Sequence, residues 1–441
     1  MRPSRRLIAA CTTALTLLLV AVGLAAGPAD ARASAARDNA LSPGRLANIA
    51  LSEAGSFARG QTQLRTTESS HPQLGIGNVD TVLASGLERT RPGCHSGDLQ
   101  VATTWRALCW SETDDAARFW YPQGITGSGD SSGTTPFYTS CTGCPAHKAL
   151  AVSWHSTHDT LAKISFVDVS ASMADAPYDD ALLVVPNASA SGFSALHSHA
   201  SGIAWYGRYL YVFSSGSKSV QVFDVSRIWA VNAPDGAGVG CDPATGACSA
   251  AGLRYAMPRV GYYRFADGFG CWGRIGLNPC FSSVALDRKT VPDTLVTTEY
   301  NIKSGGRIVR WPIDQRTGRL RPVAKSRRTI VPIAGWKSTL RRQQGAAFYG
   351  RNGVVSALCP DGVQSANSSR SCLYRASLSS TKRTARLTTT YWTTAPRGTQ
   401  NIGYWPTTGE LWTLNEFPGA DPANPSGRQV LALDCRSLVC P

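Results

Sequence analysis

The stretch HASGIAWYGRYLYVFSS at residues 199–215, followed by SVQVFDV at residues 219–225, decides the fold. It holds three short runs in which aromatic and β-branched residues alternate with small or polar ones, and polar turns separate the runs. This alternation is typical of β-strands. The same phrase occurs five times along the chain. Repeats that contain several strands each, spaced more widely than those of a solenoid, indicate the blades of a β-propeller.

The other four copies keep the order of a polar lead-in, two strands joined by a turn, and a third strand. They are PQGIT (122–126) with ALAVSW (149–154) and KISFVDV (163–169), SSVALDRKTVPDTLVTTEY (282–300) with RIVRWPID (307–314), QGAAFYGRNGVVSAL (344–358) with CLYRASL (372–378), and QNIGYWPTTGELWTLNE (400–416) with QVLALDC (429–435). We therefore predict an all-β propeller of five four-stranded blades. Six blades are the alternative, if another is hidden in residues 78–120.

The fourth strand of each blade has a weaker signature. Candidates are ALLVVPNA from Ala181, YAMPRVGYYRF from Tyr255, PVAKSRRTIV from Pro322 and LTTTYWTT from Leu387. The fifth copy reaches Cys435 too near the end of the chain to have its own. We expect an N-terminal strand to complete that blade, with AARFWYP at residues 116–122 as the candidate, because this closure leaves no free sheet edge.

The residues before the repeats predict a secreted, extracellular protein. Arginines precede an apolar run at residues 7–26, and small residues follow it, so residues 1–33 are interpreted as a signal peptide. An uncleaved anchor is the alternative, because the run approaches the length of a membrane span. No transmembrane segment is expected after cleavage. Residues 34–77 are polar and lack strand alternation, which indicates a linker or arm, and residues 78–441 form the propeller domain.

Cysteine spacing predicts disulfides within short loops. Cys11 leaves with the signal peptide, and the other twelve of the 13 cysteines fall into neighbouring pairs. The pairs are Cys94 with Cys109, Cys141 with Cys144, Cys241 with Cys248, Cys271 with Cys280, Cys359 with Cys372, and Cys435 with Cys440. A metal site at the Cys141 and Cys144 pair is the rival interpretation. We favour disulfides, because no second pair at a suitable spacing completes a four-ligand zinc site.

Propeller topology predicts a polar site at one mouth of the central channel. The lead-in before the first strand of each blade and the end of the second strand return to the same face. The candidates for ligand binding at these positions are Gln123, Trp154, Tyr300, Gln344, Gln400 and Asn415. Such polar residues suit a concave ligand site. The alternative is that they satisfy buried backbone groups and hold channel water.

Histidines and carboxylates at the same positions are candidates for catalysis or metal binding. His155, His197 and His199 are candidate general bases, and together with His158 they are candidate metal ligands. Glu299 and Glu416 are a candidate acid and base pair of the glycosidase kind. No cofactor is required by the sequence, although a structural or catalytic metal ion fits these histidines. The alternative for each histidine is a surface or hydrogen-bonded loop position without a catalytic or metal-binding role.

The charge of the chain predicts an anionic partner. The net charge is +15, and residues 303–397 hold nineteen lysines and arginines against two acidic residues. This sector favours an anionic polysaccharide or a cell-wall polymer. No nucleic-acid-binding module is visible, so specific nucleic-acid binding is not expected. A basic surface kept for solubility is the alternative, and we expect a monomer.

Several phrases resemble a group of secreted propeller proteins from high-GC Gram-positive bacteria that has no assigned activity. WYPQGIT, HASGIAWYGRYLYV, VQVFDVSRI, GRIVRWPID, QGAAFYG and IGYWPTTGELWTLNE carry this resemblance over residues 100–435. The lead-in with its Gly-Ile is also loosely similar to repeats of NHL and lactonase-type propellers. The resemblance implies the fold and an extracellular location. The group commonly has an aspartate where this chain has FSSGSK, which argues against a carboxylate role at Ser214.

Two functions of different classes follow from the sequence. The first is binding of an extracellular, anionic glycan or polymer at one face of the channel. The alternative is a carbohydrate-active enzyme, a polysaccharide lyase or glycosidase, that uses mouth histidines and carboxylates. The HExxH motif of zinc hydrolases and the GxxxxGK[ST] motif of nucleotide-binding proteins are absent from the sequence. The sequence thus favours binding slightly.

Overall fold

Most of the described chain is β-strand, as the apolar alternation predicts. The computed structural model describes residues 39–92, 106–187, 192–215, 219–271, 277–361, 371–380, 385–418 and 427–439. The helices are α1 Pro43–Asn48, α2 Phe57–Ser70, α3 Val79–Ser85, α4 Glu112–Ala116 and α5 Ser128–Ser132. The strands are β1 Leu51–Gly55, β2 Gly75–Gly77, β3 Glu88–Arg89, β4 Arg106–Cys109, β5 Trp120–Gly127, β6 Ala149–Ser156, β7 Ala162–Asp168, β8 Pro177–Pro186, β9 Phe193–Ala195, β10 Gly202–Tyr206, β11 Tyr209–Phe213, β12 Ser219–Asp224, β13 Ile228–Ala230, β14 Val239–Cys241, β15 Cys248–Ala250, β16 Tyr255–Phe265, β17 Phe281–Asp287, β18 Thr294–Glu299, β19 Arg307–Asp314, β20 Arg319–Leu320, β21 Thr329–Ile330, β22 Ala334–Lys337, β23 Gly345–Tyr349, β24 Asn352–Leu358, β25 Ser371–Ser380, β26 Ala385–Thr394, β27 Thr399–Trp405, β28 Glu410–Asn415 and β29 Gln429–Asp434. The predicted signal peptide lies outside the described residues and stays a prediction.

The strands pair in antiparallel groups of four that follow one another along the chain. We call them the first to fifth sheets: β5-β6-β7-β8, β10-β11-β12-β16, β17-β18-β19-β22, β23-β24-β25-β26 and β27-β28-β29-β4. The first three strands of each sheet come from one copy of the repeated phrase. The order of these strands along the chain is the predicted one. The sequence could predict the strands because side chains alternate with a period of two along each strand.

The first strands of the five sheets surround a common axis. Each of β5, β10, β17 and β23 contacts the next in this series, and β27 contacts β5. The glycines of the lead-in phrase permit this approach. A Cβ on Gly124 would lie 2.8 Å from the backbone nitrogen of Ile203, and one on Gly202 would lie 2.5 Å from that of Val284. Sheets arranged in this way form a β-propeller, the predicted fold class.

An N-terminal strand completes the fifth sheet, but it is not the predicted one. β4 pairs with β29, so that Arg106 lies opposite Ala432 and Cys109 lies opposite Gln429. The candidate AARFWYP was wrong for this role, because Trp120 opens β5 and lies opposite Ser156 of β6. The lead-in of the first repeat is itself strand. β4 is too short for its alternation to stand out in the sequence.

The outer edge of the third sheet is also different from the prediction. β22 pairs with β19, whereas the candidate PVAKSRRTIV leaves this sheet and contributes β21 to a pairing with β1. Its residues 324–328 are mostly exposed, and so gain little by packing. In β22 the side chain of Trp336 is buried and joins the apolar cluster of Ile308 and Phe348. Burial of the large aromatic side chain of Trp336 stabilises the strand pairing more than a longer segment of exposed, charged residues would.

The first and second sheets are joined by an unexpected parallel pairing. Tyr255 to Pro258, at the start of β16, lie opposite Ala181 to Val184 of β8. The second half of β16 pairs with β12 instead. The described part of residues 78–120 contributes α3, β3, β4 and α4 rather than a four-stranded sheet of its own.

The segment expected to be a polar arm, residues 34–77, contains helices and strands in its described part, residues 39–77. β1 pairs with β16 and β21, and β2 pairs with β13. Helix α2 begins after Ser56, whose hydroxyl accepts a hydrogen bond from the Arg59 backbone nitrogen. Phe57 and Leu64 of this helix are buried in the main core. Their separation of two helical turns differs from the strand period, so strand alternation could not reveal them.

Four of the predicted disulfides are present. They join Cys141 to Cys144, Cys241 to Cys248, Cys271 to Cys280, and Cys359 to Cys372. Cys109 and Cys435 are also disulfide-bonded, and their predicted partners, Cys94 and Cys440, lie outside the described residues. Because Cys141 and Cys144 form a disulfide, they offer no thiolate ligands for the alternative metal site. Among the described residues, no helix has the length and apolar composition needed to span a bilayer.

Candidate functional site

A cavity whose lining combines apolar surface with polar side chains lies at one end of the inner strands, where the sequence predicts the mouth. It measures about 720 Å³ and is lined by residues from the lead-ins and second-strand ends of several sheets. The lining includes the predicted residues Gln123, His199, Glu299, Tyr300 and Gln344. The loop after β18 adds Asn301, Ile302, Lys303 and Ser304, which the sequence analysis did not single out. We call this space the mouth cavity.

A smaller cavity adjoins the mouth cavity and shares Tyr300 and Gln344 with it. It measures about 170 Å³ and contains the predicted residues Gln400 and Glu416 as well as Arg342. Gln400 is buried and its side-chain oxygen has no hydrogen-bond partner within the protein. A buried acceptor of this kind is satisfied by water or by a ligand. The two cavities together place amides, a phenol, a carboxylate and cations on one polar surface.

Three side chains beside the mouth form a compact cluster, which we call the histidine cluster: His155, Asp159 and His199. The Nδ1 atom of His155 lies 2.7 Å from Asp159 Oδ1, and the Nδ1 atom of His199 lies 2.9 Å from the same oxygen. The centroids of the two imidazole rings are 4.0 Å apart. His155 ends β6, His199 precedes β10, and Asp159 occupies the turn between β6 and β7. Two adjacent sheets thus bring their histidines to one carboxylate.

Asp159 is the member of this cluster that the sequence analysis missed. Its backbone adopts the left-handed conformation, with φ of 56°, which is uncommon for a residue other than glycine. Burial raises the pKa of Asp159, but the hydrogen bonds from His155 and His199 lower it by more than burial raises it. The resulting pKa of Asp159 therefore lies below its usual range. Asp159 is therefore ionised at neutral pH. The signal was its place four residues after His155 in the phrase HSTHD.

Glu416 lies close to the histidine cluster and is held by Gln123. The Nε2 atom of Gln123 donates a hydrogen bond of 2.5 Å to Glu416 Oε2. Burial raises the pKa of Glu416, and Gln123, His199, His155 and Arg428 offset only part of this increase. A carboxyl with a raised pKa keeps its proton to higher pH than an exposed one. Such a group suits proton donation to a bound ligand.

Arg428 is a fully buried cation beneath Glu416, and the sequence analysis did not identify it. Its Nε donates to the backbone oxygen of Glu416, and its Nη1 donates to that of Asp114. The guanidinium lies 5.2 Å from the ring centroid of Tyr121. Burial lowers the pKa of Arg428 to about 10. Because the side chain is fully buried, we interpret it as a support of Glu416 rather than a contact for ligands.

Glu299, the other member of the predicted acid and base pair, is held by Arg307 and lines a different cavity from Glu416. Arg307 holds it through two side-chain hydrogen bonds, with Nε 2.7 Å from Oε2 and Nη2 2.6 Å from Oε1. The Arg307 backbone nitrogen also donates to Oε2. A carboxylate in such a bidentate ion pair is engaged on both oxygens. It forms a wall of the mouth cavity, whereas Glu416 lines the smaller cavity.

Five predicted residues line neither cavity: His155, which lies in the histidine cluster beside the mouth, and Trp154, Asn415, His158 and His197. Trp154 is fully buried in the core, where its indole nitrogen donates to Ser165 Oγ, because successive strand residues point to opposite faces and His155 takes the other one. Asn415 is buried and bonds the backbone of Gly427 and Gln429. His158 and His197 are exposed and lie outside the histidine cluster.

Cations on the other side of the mouth are exposed. Lys303 lines the mouth cavity and Arg342 lines the smaller one, and both are largely solvent-accessible. The ion pairs within the described residues include neither of them. Arg397 stacks on Phe417 of the smaller cavity, at 5.0 Å from the ring centroid. Its Nε and Nη1 are buried without a hydrogen-bond partner in the protein.

Comparisons with known proteins identify no family. No protein-family profile matches the chain, and no curated protein matches it. Among solved structures, the chain is similar to a putative oxidoreductase (glucose dehydrogenase) from Thermus thermophilus, with 10% identity, a TM-score of 0.30, and coverage of 75% of this chain and 100% of that chain.

Two further solved structures have similar scores. A GH43_1 enzyme from Xanthomonas citri matches with 11% identity and a TM-score of 0.33, covering 72% of this chain and 88% of that chain. The periplasmic gluconolactonase of Pseudomonas aeruginosa matches with 11% identity and a TM-score of 0.28, covering 72% of this chain and 97% of that chain. Likeness at these values carries no argument about fold or activity, so function is argued below from the site alone.

Proposed function

We propose that the protein is a secreted, five-bladed β-propeller that binds an anionic glycan or cell-wall polymer across its mouth. The observation that carries this proposal is the mouth cavity of about 720 Å³, which combines a largely apolar surface with amide and hydroxyl groups and the exposed cation Lys303. Amides and hydroxyls suit sugar hydroxyls, and an ammonium suits a carboxylate. Tyr300 and Ile302 offer the apolar surface on which a sugar ring packs.

The smaller cavity extends this surface in a direction that also favours anions. Arg342 lines this cavity and is exposed to solvent. A polymer that spans both cavities therefore places successive carboxylates near Lys303 and near Arg342. We expect uronate units to bind more tightly than neutral sugars of the same length.

Titration calorimetry with defined oligosaccharides tests this proposal. The mature protein should bind an oligogalacturonate at least about tenfold more tightly than a neutral oligosaccharide of equal length, because each charge-assisted hydrogen bond contributes about 1.5–3 kcal/mol. Gln344→Ala, which alters both cavities, should weaken binding. Gln315→Ala is the matched control, since Gln315 is exposed on a turn outside both cavities. Equal affinity for acidic and neutral sugars would contradict the proposal.

Glu416 supports an enzyme as a second candidate function. Its raised pKa and its hydrogen bond to Gln123 suit a general acid, and His199 lies on the wall of the mouth cavity as a candidate base. In this alternative the protein cleaves the glycan that it binds. Release of reducing ends or of unsaturated sugar from polygalacturonate should then occur, and Glu416→Gln or His199→Ala should abolish it. Binding without product release would favour the binding protein.

A further inference from the structure

We propose that His155, Asp159 and His199 bind one Zn²⁺ ion. The three residues offer two imidazole nitrogens and a carboxylate oxygen, and all three ligand atoms lie within 4.8 Å of one another. Imidazole ligands favour zinc and its transition-metal neighbours, whereas calcium and magnesium prefer oxygen ligands only. The donor set therefore selects for zinc among common divalent ions of the extracellular space.

The distances within the cluster allow this ion after a small movement. Zinc bonds to nitrogen and oxygen measure about 2.0–2.2 Å, so tetrahedral ligand atoms are roughly 3.3 Å apart. The two nitrogen to oxygen distances of 2.7 and 2.9 Å must therefore widen slightly, and zinc must displace the protons through which the two Nδ1 atoms bond to Asp159. Asp159 can provide this movement, because its side chain is 46% exposed at the tip of a turn. His155 is buried at the end of β6 and stays fixed.

The position of the cluster leaves one coordination site open. Three protein ligands and one exchangeable position are typical of zinc sites that bind water or substrate, whereas structural sites have four protein ligands. His199 lines the mouth cavity, so the open position faces a space that holds solvent or ligand. A zinc ion there would add a second attraction for carboxylates, opposite Lys303.

The charge of the cluster favours a cation. With neutral imidazoles the cluster carries only the single negative charge of Asp159. Binding of a dication therefore leaves a net charge of one positive unit. In the described residues a second grouping, of His71, Cys241 and Cys248, has its sulfurs in a disulfide, so it offers no thiolate ligands.

Calorimetric titration of the metal-free protein tests the site. The mature chain, with its disulfides intact, is dialysed against EDTA and then titrated with ZnCl₂ in the absence of any glycan. We expect one high-affinity Zn²⁺ per chain and a rise in Tm on binding. Replacement by Co²⁺ should give the visible absorption of a tetrahedral site. Cu²⁺ is avoided, because it binds most nitrogen sites more tightly than zinc does.

Matched histidine and aspartate variants locate the ion. Asp159→Asn and His199→Gln should each weaken zinc binding at least about tenfold, since even outer-sphere changes cost about 10–100-fold. His158→Gln and His197→Gln are controls of the same chemistry, because both residues are exposed outside the cluster. Their affinities should stay within about twofold of the wild type. Circular dichroism and Tm without metal verify that each variant folds.

Two outcomes overturn the metal site. One is the absence of stoichiometric zinc binding by the folded wild-type protein. The other is equal zinc affinity in the wild type, Asp159→Asn and His199→Gln, which would assign binding to a different place on the surface. Glycan binding is not needed in either case, so failure of this inference is distinguishable from failure of the proposed function.

Discussion

Charged side chains contact one another on one side of the mouth, whereas they are exposed to solvent on the other. On the histidine side, His155, Asp159, His199 and Glu416 contact or neighbour one another, and the buried Arg428 lies beneath them. On the basic side, Lys303 and Arg342 are exposed, and neither takes part in an ion pair within the described residues. The same propeller repeat supplies both sides, so the difference lies in side chains rather than in backbone.

This difference follows from the cost of burying charge. A buried charge without a partner is strongly destabilising, so buried groups must be paired or hydrogen-bonded. An exposed cation needs no partner and attracts anions over about a Debye length, roughly 8–10 Å at physiological salt. We infer that the histidine side positions groups, whereas the basic side attracts the ligand. The predictions below separate these two roles.

The largest effect is expected from Arg428→Leu. Removal of this buried side chain leaves the backbone oxygens of Glu416 and Asp114 without their donor. We expect a loss of about 2–6 kcal/mol in the free energy of unfolding, because each buried acceptor left without a donor costs about 1–3 kcal/mol. Urea unfolding followed by tryptophan fluorescence measures this loss.

Arg342→Leu is the matched control for that experiment. It makes the same change on the basic side, where the arginine is exposed, so the free energy of unfolding should change by no more than about 0.5 kcal/mol. Similar losses in both variants would show that the two sides do not differ in the way described.

Glu299→Gln tests whether burial, rather than the side of the mouth, decides the effect. Glu299 pairs with Arg307 on the basic side, yet their side chains are only 11% and 13% exposed. Loss of the carboxylate leaves Arg307 partly buried with weaker acceptors, and we expect about 2–3 kcal/mol of destabilisation. Lys303→Gln, close by but exposed, should be nearly neutral in thermal unfolding. A neutral Glu299→Gln would refute the burial argument.

Asp130 extends the comparison to a carboxyl at the opposite end of β5. Burial raises the pKa of Asp130 to about 7, and the hydrogen bond from Thr126 and the charge of Arg288 offset part of the increase. The folded protein therefore binds a proton that the unfolded chain releases near pH 4. Stability should fall as pH rises from 5 to 7, by about 2 kcal/mol over that window.

Asp130→Asn isolates this pH effect. The amide keeps an acceptor for Thr126 but cannot ionise, so the fall in stability between pH 5 and 7 should become smaller by that amount. Thermal unfolding at a series of pH values provides the measurement. An identical pH profile in the variant and the wild type would mean that Asp130 is not the group responsible.

The sequence was sufficient for the framework, because strand alternation and turn residues are local signals. It placed the three inner strands of each sheet, and it anticipated four of the disulfides. It also brought Gln123, His199, Tyr300 and Gln344 to one mouth. The reason is geometric: propeller topology converts a position within the repeat into a position in space.

What the sequence did not reveal depends on contacts between distant segments. β4 closes the fifth sheet from more than three hundred residues away, and α2 packs on β16 through only a few buried side chains. Asp159 and Arg428 were missed because each role also depends on a residue distant in the sequence, His199 for Asp159 and Asp114 for Arg428. Trp154 was misplaced by one residue of register, which moves a side chain to the opposite face of its strand.

The most direct test of the central claim is the affinity of charge-reversal variants for oligogalacturonate. The account predicts that Lys303→Glu with Arg342→Glu weakens binding at least about tenfold, because two attractions become repulsions. The control, Lys325→Glu with Arg327→Glu, makes the same change in net charge at exposed residues outside both cavities, and its affinity should stay within about twofold of the wild type. Equal losses in the two double variants, or no loss in either, would contradict the account.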